Sequence, residues 1–158
     1  MQFSSKEDVE VPISDVFAML SEFESYERSA IRRGIEVRRL DESAPKAVGL
    51  AWDARFVLRG KPRDIRLDLT GYEPPNFMKI EAESQGLDGR LTLELLALSP
   101  RRTRMSVVLK LTPKTLSARL LVQSLKLARS NLNKRYKLKV ADYAKSVEDR
   151  HSRLAWGK

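Results

Sequence analysis

Between Ile35 and Leu111 polarity alternates residue by residue, and after Pro113 apolar residues recur every three or four positions instead. That switch of period constrains the fold more than any other feature. Trp52, Ala54, Phe56 and Leu58 alternate with Asp53, Arg55 and Val57. Ile65, Leu67 and Leu69 alternate with Asp64, Arg66 and Asp68, and Met78, Ile80 and Ala82 with Lys79 and Glu81. Leu91, Leu93 and Leu95 alternate with Arg90, Thr92 and Glu94, and Met105, Val107, Leu109 and Leu111 with Arg104, Ser106, Val108 and Lys110. Such alternation describes an antiparallel sheet with one dry and one wet face. The connectors Arg59-Gly60-Lys61-Pro62, Pro74-Pro75-Asn76, Gly86-Leu87-Asp88-Gly89 and Ser99-Pro100-Arg101 carry turn residues. They are short, so successive strands are expected as hairpin neighbours. The alternation breaks at Leu95-Leu96, where a bulge would reverse the parity beyond it.

From Thr115 to Glu148 neither Pro nor Gly occurs. Leu121, Leu125, Ala128, Leu132, Tyr136, Val140, Tyr143 and Val147 form one stripe, which predicts a single helix about 50 Å long at 1.5 Å per residue. Upstream, residues 2–11 read as a first strand stopped by Pro12, which lacks an N–H. Ser14 is the expected cap of a helix carrying Val16, Phe17 and Leu20. A second short helix over 22–33 ends at Gly34. The predicted fold is α+β: a helix-grip domain over residues 1–150, with a seven-stranded curved antiparallel sheet around a long C-terminal helix and two short helices between strands 1 and 2. Residues 151–158 are expected as a flexible tail. The dry sheet face and the long helix must cover each other. A gap between them is a natural small-molecule site.

Composition narrows the chemistry. There is no Cys, and the sole His is His151. Disulfides and thiolate sites are thereby excluded, and a zinc or transition-metal site or a Ser–His–Asp triad has no support. Phosphate-cradling glycine motifs are absent. No cofactor, metal or catalytic residue is assigned. No secretory signal or membrane-spanning run is apparent, and the expected location is cytoplasmic. The formal charge is +9, and the excess belongs to the segment from Lys114 onward. Lys126, Arg129, Lys134, Arg135, Lys137 and Lys139 make its helix basic. This charge suits a solvated face first, an anionic membrane surface or acidic ligand next, and nucleic acid least. Asp53, Asp64, Asp68, Glu81, Glu83 and Glu94 share parity with Arg and Lys, as expected for ion pairs on the wet face.

The order strand, two short helices, six strands, long helix resembles the SRPBCC superfamily, which includes START, polyketide-cyclase and birch-pollen-allergen proteins. The stretches that carry the resemblance are Val9-Glu10-Val11-Pro12-Ile13-Ser14-Asp15-Val16-Phe17, Val48-Gly49-Leu50-Ala51-Trp52 and Tyr72-Glu73-Pro74-Pro75. The chain looks most like the small stand-alone bacterial members. The resemblance implies binding or transport of a lipid, isoprenoid quinone or polyketide. The alternatives are a cyclase or aromatase and an interaction module with a filled core. The superfamily has no universal catalytic signature.

The expected pocket wall comprises Trp52, Phe56, Leu67, Ile80, Leu93, Met105 and Val107 on the dry face. On the helix, Leu120 and Leu127, with Leu116, form a second apolar stripe, read either as packing, as a dimer contact or as a pocket mouth with Gln123 or Asn131 orienting a polar head. Tyr136, on the inward stripe, is the residue on which an enzymatic reading turns. The partner expected is a hydrophobic small molecule, the chain being a monomer or a homodimer.

Overall fold

The computed structural model describes residues 1–41 and 45–156, with side chains through Leu154. Its elements are β1 (Gln2–Val9), α1 (Ile13–Leu20), α2 (Phe23–Arg32), β2 (Glu36–Arg39), β3 (Ala51–Leu58), β4 (Lys61–Glu73), β5 (Phe77–Ser84), β6 (Leu87–Ser99), β7 (Arg102–Pro113), α3 (Leu116–Leu127) and α4 (Arg129–Trp156). The seven strands form one antiparallel sheet in the order β1-β7-β6-β5-β4-β3-β2. This is the helix-grip architecture that the change of period predicts.

Cross-strand register arranges the dry face in transverse rows. Tyr72, Met78, Leu93 and Val107 form one row. Leu69, Ile80, Leu91, Leu109 and Phe3 form the next. Leu67, Ala82, Gly89 and Leu111 form a third. The wet face carries the expected ion pairs, among them Arg55–Asp64 (2.8 Å), Arg90–Glu81 (3.2 Å) and Arg38–Asp53 (3.5 Å).

Two local expectations are corrected, the cap of α1 and the continuity of the last helix. Pro12, not Ser14, occupies the N-cap of α1, and its carbonyl accepts from the N–H groups of Asp15 and Val16. Register shifts fall between Leu69 and Gly71 and between Ala97 and Ser99. The first shift lets both Leu69 and Tyr72 face inward, with Gly71 between them close to the Phe77 ring. A Cβ on Gly71 would lie 2.6 Å from that ring. The long helix breaks at Ala128 (φ −103°, ψ 16°), whose N–H turns back to the Leu125 carbonyl. The break precedes Ser130-Asn131, residues of modest helix propensity. It frees α3 to lie against β7 while α4 runs along β1. Residues 151–156 are helical, as the end of α4. Arg150 pairs with Glu22, and His151 Nε2 lies 3.2 Å from Asp15 Oδ2, so groups on and just after α1 hold this segment.

The core fills only part of the concave face. Val9, Val11, Val16, Phe17, Leu20 and Phe23 pack with Leu69, Met78, Leu95 and Met105 on the sheet and with Val140, Ala144 and Val147 of α4. Ser21, buried at the α1–α2 junction, donates to the Phe17 carbonyl and accepts from the Tyr72 hydroxyl. Beyond this packed region, toward the β3–β4 hairpin, the face is covered by α2 and α3.

Candidate functional site

A cavity of about 510 Å³ lies over that second region. Its floor is built from inward positions of β3 to β7, and its roof from Phe23, Tyr26, Glu27 and Ala30 of α2 and Leu121 of α3. The volume is typical of small-molecule sites. Space exists because the floor carries small residues where neighbouring rows carry large ones. Ala82 sits opposite Gly89 across β5–β6, with Ser84 two residues along, and all three line the cavity. A Cβ on Gly89 would make only ordinary contact with Ala82 and Leu111, so the strand geometry does not demand glycine there. Its effect is to leave the floor low.

Polar groups in the lining are few, and most are already bonded. Glu27 accepts from the Trp52 indole N–H (2.8 Å) and from Arg39 Nε (2.8 Å) and Nη2 (3.2 Å). The Tyr26 hydroxyl contacts the Met19 carbonyl and, at 3.0 Å, the Tyr143 hydroxyl. Burial pushes the phenol pKa of both tyrosines above the ordinary value. Ser84 Oγ donates to the Asp64 carbonyl (2.6 Å). Arg63 differs. Its Nη1 donates to Gln85 Oε1 (3.0 Å), but Nε is buried with no acceptor.

The expected site residues separate into four groups. Trp52, Phe56, Leu67 and Ile80 line the cavity. Leu93, Met105 and Val107 are buried in the filled core instead. Tyr136 does not line the cavity. Its hydroxyl donates to the Val107 carbonyl (2.7 Å), and burial pushes its pKa up to about 12. Leu120, Gln123, Leu127 and Asn131 are exposed, Leu127 at 93 %. The second helical stripe therefore faces solvent rather than the cavity mouth, because Leu121, Ala118 and Val122 take the inner side of α3.

Glu27, Ala82, Gly89 and Arg63 were not among the expected site residues. A signal for three of them exists in the sequence: small residues, and one arginine, at inward-facing strand positions otherwise occupied by Leu and Ile. Glu27, on a short helix, carries no such signal.

Among the described residues no group of His, Cys, Asp or Glu is arranged to hold a metal ion. Nor is any helix long and apolar enough to cross a membrane.

No family model matches the sequence, and no curated protein matches it. Solved structures do match in fold. TTHA0849 from Thermus thermophilus superposes with a TM-score of 0.64 at 12% identity, over 93% of this chain and 97% of that one. The Zhui aromatase/cyclase from Streptomyces sp. R1128 gives 0.62 at 12% identity, over 98% and 95%. A START superfamily protein from Mycobacterium smegmatis gives 0.53 at 14% identity, over 85% and 95%. The chain thus has the helix-grip fold that these structures share. At these identities the likeness establishes the fold alone, and function must be argued from the site.

Proposed function

We propose that this protein binds a hydrophobic or amphipathic small molecule, such as a lipid, isoprenoid quinone or polyketide-like compound, and carries it without chemical change. The observation that carries this reading is the uneven filling of one sheet face. Half of the face is closed by core side chains, while the other half is roofed by α2 and α3 over an apolar cavity. Burial of ligand surface there would supply affinity at about 25 cal/mol per Å². The polar groups around the cavity favour binding over catalysis. Glu27 is held by Arg39 and Trp52, and the Tyr136 hydroxyl is bonded to backbone outside the cavity.

The outer side of α3 suits peripheral contact with an anionic membrane. Leu116, Leu120 and Leu127 are exposed there, in a segment that also carries Arg119, Lys126 and Arg129. Apolar side chains beside basic ones are the pattern of interfacial helices. A carrier docked by α3 would place the cavity roof at the lipid surface.

Native mass spectrometry of protein purified from its own source, followed by denaturing extraction, tests the carrier reading. A co-purifying lipid, quinone or polyketide of defined mass is the expected result. Delipidated protein that binds no member of a broad lipid and quinone panel would overturn it.

A further inference from the structure

We infer that the cavity ligand carries an oxyanion headgroup, a carboxylate or phosphate, seated against Arg63. This inference rests on the cavity being a ligand site and adds the orientation and chemical class of the ligand.

Arg63 occupies an inward position on β4 and lines the main cavity. It also lines a neighbouring cleft of about 540 Å³ beside Lys61, Gln85 and Thr115. It therefore stands where the apolar cavity gives way to a polar opening under the start of α3. Its guanidinium is anchored on one side, by Nη1 to Gln85, while Nε is out of solvent contact and has no acceptor. Among the described residues, no carboxylate pairs with it. A permanent cation that meets an apolar cavity without a counter-charge favours an anion, and a planar guanidinium matches a carboxylate or phosphate better than any neutral acceptor.

The rest of the lining points the same way. Tyr26, Glu27 and Ser84 already have partners. Among the described lining residues, Arg63 is the cation, and its partner is the neutral Gln85. The far end of the cavity is apolar and aromatic. Arg63 pairs in register with Phe56, and Leu67 with Trp52. Four residues of strand separate the two pairs, about 13 Å at 3.3 Å per residue. An amphipath with its head at Arg63 would lay its chain along Phe56, Ile65 and Leu67 toward Trp52 and Phe23.

The test compares dodecanoate, dodecyl phosphate and dodecanol by calorimetric titration of delipidated protein and its Arg63→Met variant. Dodecanol shares the chain but lacks the charge. One or both anions are expected to bind the wild-type protein roughly tenfold or more tightly than dodecanol. Arg63→Met should bring both anions down to the affinity that the same variant shows for dodecanol, and a cooperative urea unfolding transition shows that the variant is folded. Equal affinity for all three probes in wild type, or an anion preference that survives in Arg63→Met, would overturn the headgroup assignment while leaving the cavity reading intact. Binding of none of the three would overturn the cavity reading itself. If Arg63→Met does not fold, Arg63→Lys serves, with a reduced but measurable preference expected from a point charge lacking the fork.

Discussion

The indole Nε1 of Trp52 donates to Glu27 Oε1 across 2.8 Å, and the same carboxylate receives Arg39 in a two-point pair. One side chain of α2 thereby fixes both the cavity wall and the edge strand β2. Replacing Glu27 by Ala would leave the indole N–H without its acceptor and Arg39, only 10% exposed, with Glu24 alone at 3.4 Å. A loss of about 1–3 kcal/mol in urea unfolding is expected. Glu27→Gln, which keeps one acceptor for Trp52, should cost less. Equal stability of wild type and Glu27→Ala would show that the tie contributes nothing.

Ala82 and Gly89 face each other in the cavity floor. Enlarging Ala82 to Phe is expected to abolish binding of apolar probes while leaving unfolding free energy nearly unchanged. In a filled core the same enlargement would cost about 1–3 kcal/mol. Denaturant unfolding alongside probe titration separates a ligand site from ordinary packing.

Tyr136 bonds the Val107 carbonyl. Tyr136→Phe is predicted to lower stability by about 0.5–1.5 kcal/mol and to leave ligand affinity unaltered. Its phenol titrates near 12 when folded, against an ordinary 10.0. Because the folded state holds the proton more tightly, stability is full below pH 10 and falls as pH rises toward 12. Tyr26 and Tyr143, raised in the same direction by burial, add to the decline. Stability of Tyr136→Phe followed from pH 9 upward should fall less steeply than that of wild type.

Gly86 has φ +83°, and a Cβ there would sit 2.4 Å from Thr115 Cγ2. Thr115 caps α3 by accepting from the Ala118 N–H, and Lys114 N–H bonds the Gly86 carbonyl. Gly86→Ala would both strain the turn and displace the cap. A loss of about 1–3 kcal/mol is expected, with faster hydrogen exchange concentrated in α3. Uniform exchange across the chain would separate the turn from the helix start.

Arg150 bonds both oxygens of Glu22 and holds its carboxyl pKa below the ordinary value. A carboxylate with a depressed folded pKa stabilises above its unfolded value, about 4.5, and loses that contribution as pH falls through the folded value. Arg150→Met should therefore flatten the acid-side fall in stability below pH 4.5. It should also loosen the last turns of α4, read as faster exchange in residues 151–156. An unchanged acid limb would remove this pair from the account of acid stability.

The strands and their partners were legible because alternation is local, and a buried face imposes it at every second residue. Leu91, Leu93 and Leu95 needed no distant information to be placed inward. The boundary of α1 was less legible: Ser14 carries the capping side chain, yet the path of the chain out of β1 puts the N-cap at Pro12. The continuity of the last helix was misleading. Nothing in residues 115–148 forbids a straight helix, yet the break at Ala128 lets one part cover β7 and the other β1.

By itself, then, the sequence determined the dry face, the order of the strands and the amphipathic cover, because hydrophobic period is a property of neighbours along the chain. Only the tertiary structure decided which inward residues meet one another and which meet space. Leu93, Met105 and Val107 have the same parity and chemistry as Leu67 and Ile80, yet they lie in the filled core while Leu67 and Ile80 face the cavity. The difference arises from what crosses above them, and from Ala82 opposite Gly89 in the floor. Those are contacts between residues far apart in sequence, which no local pattern encodes.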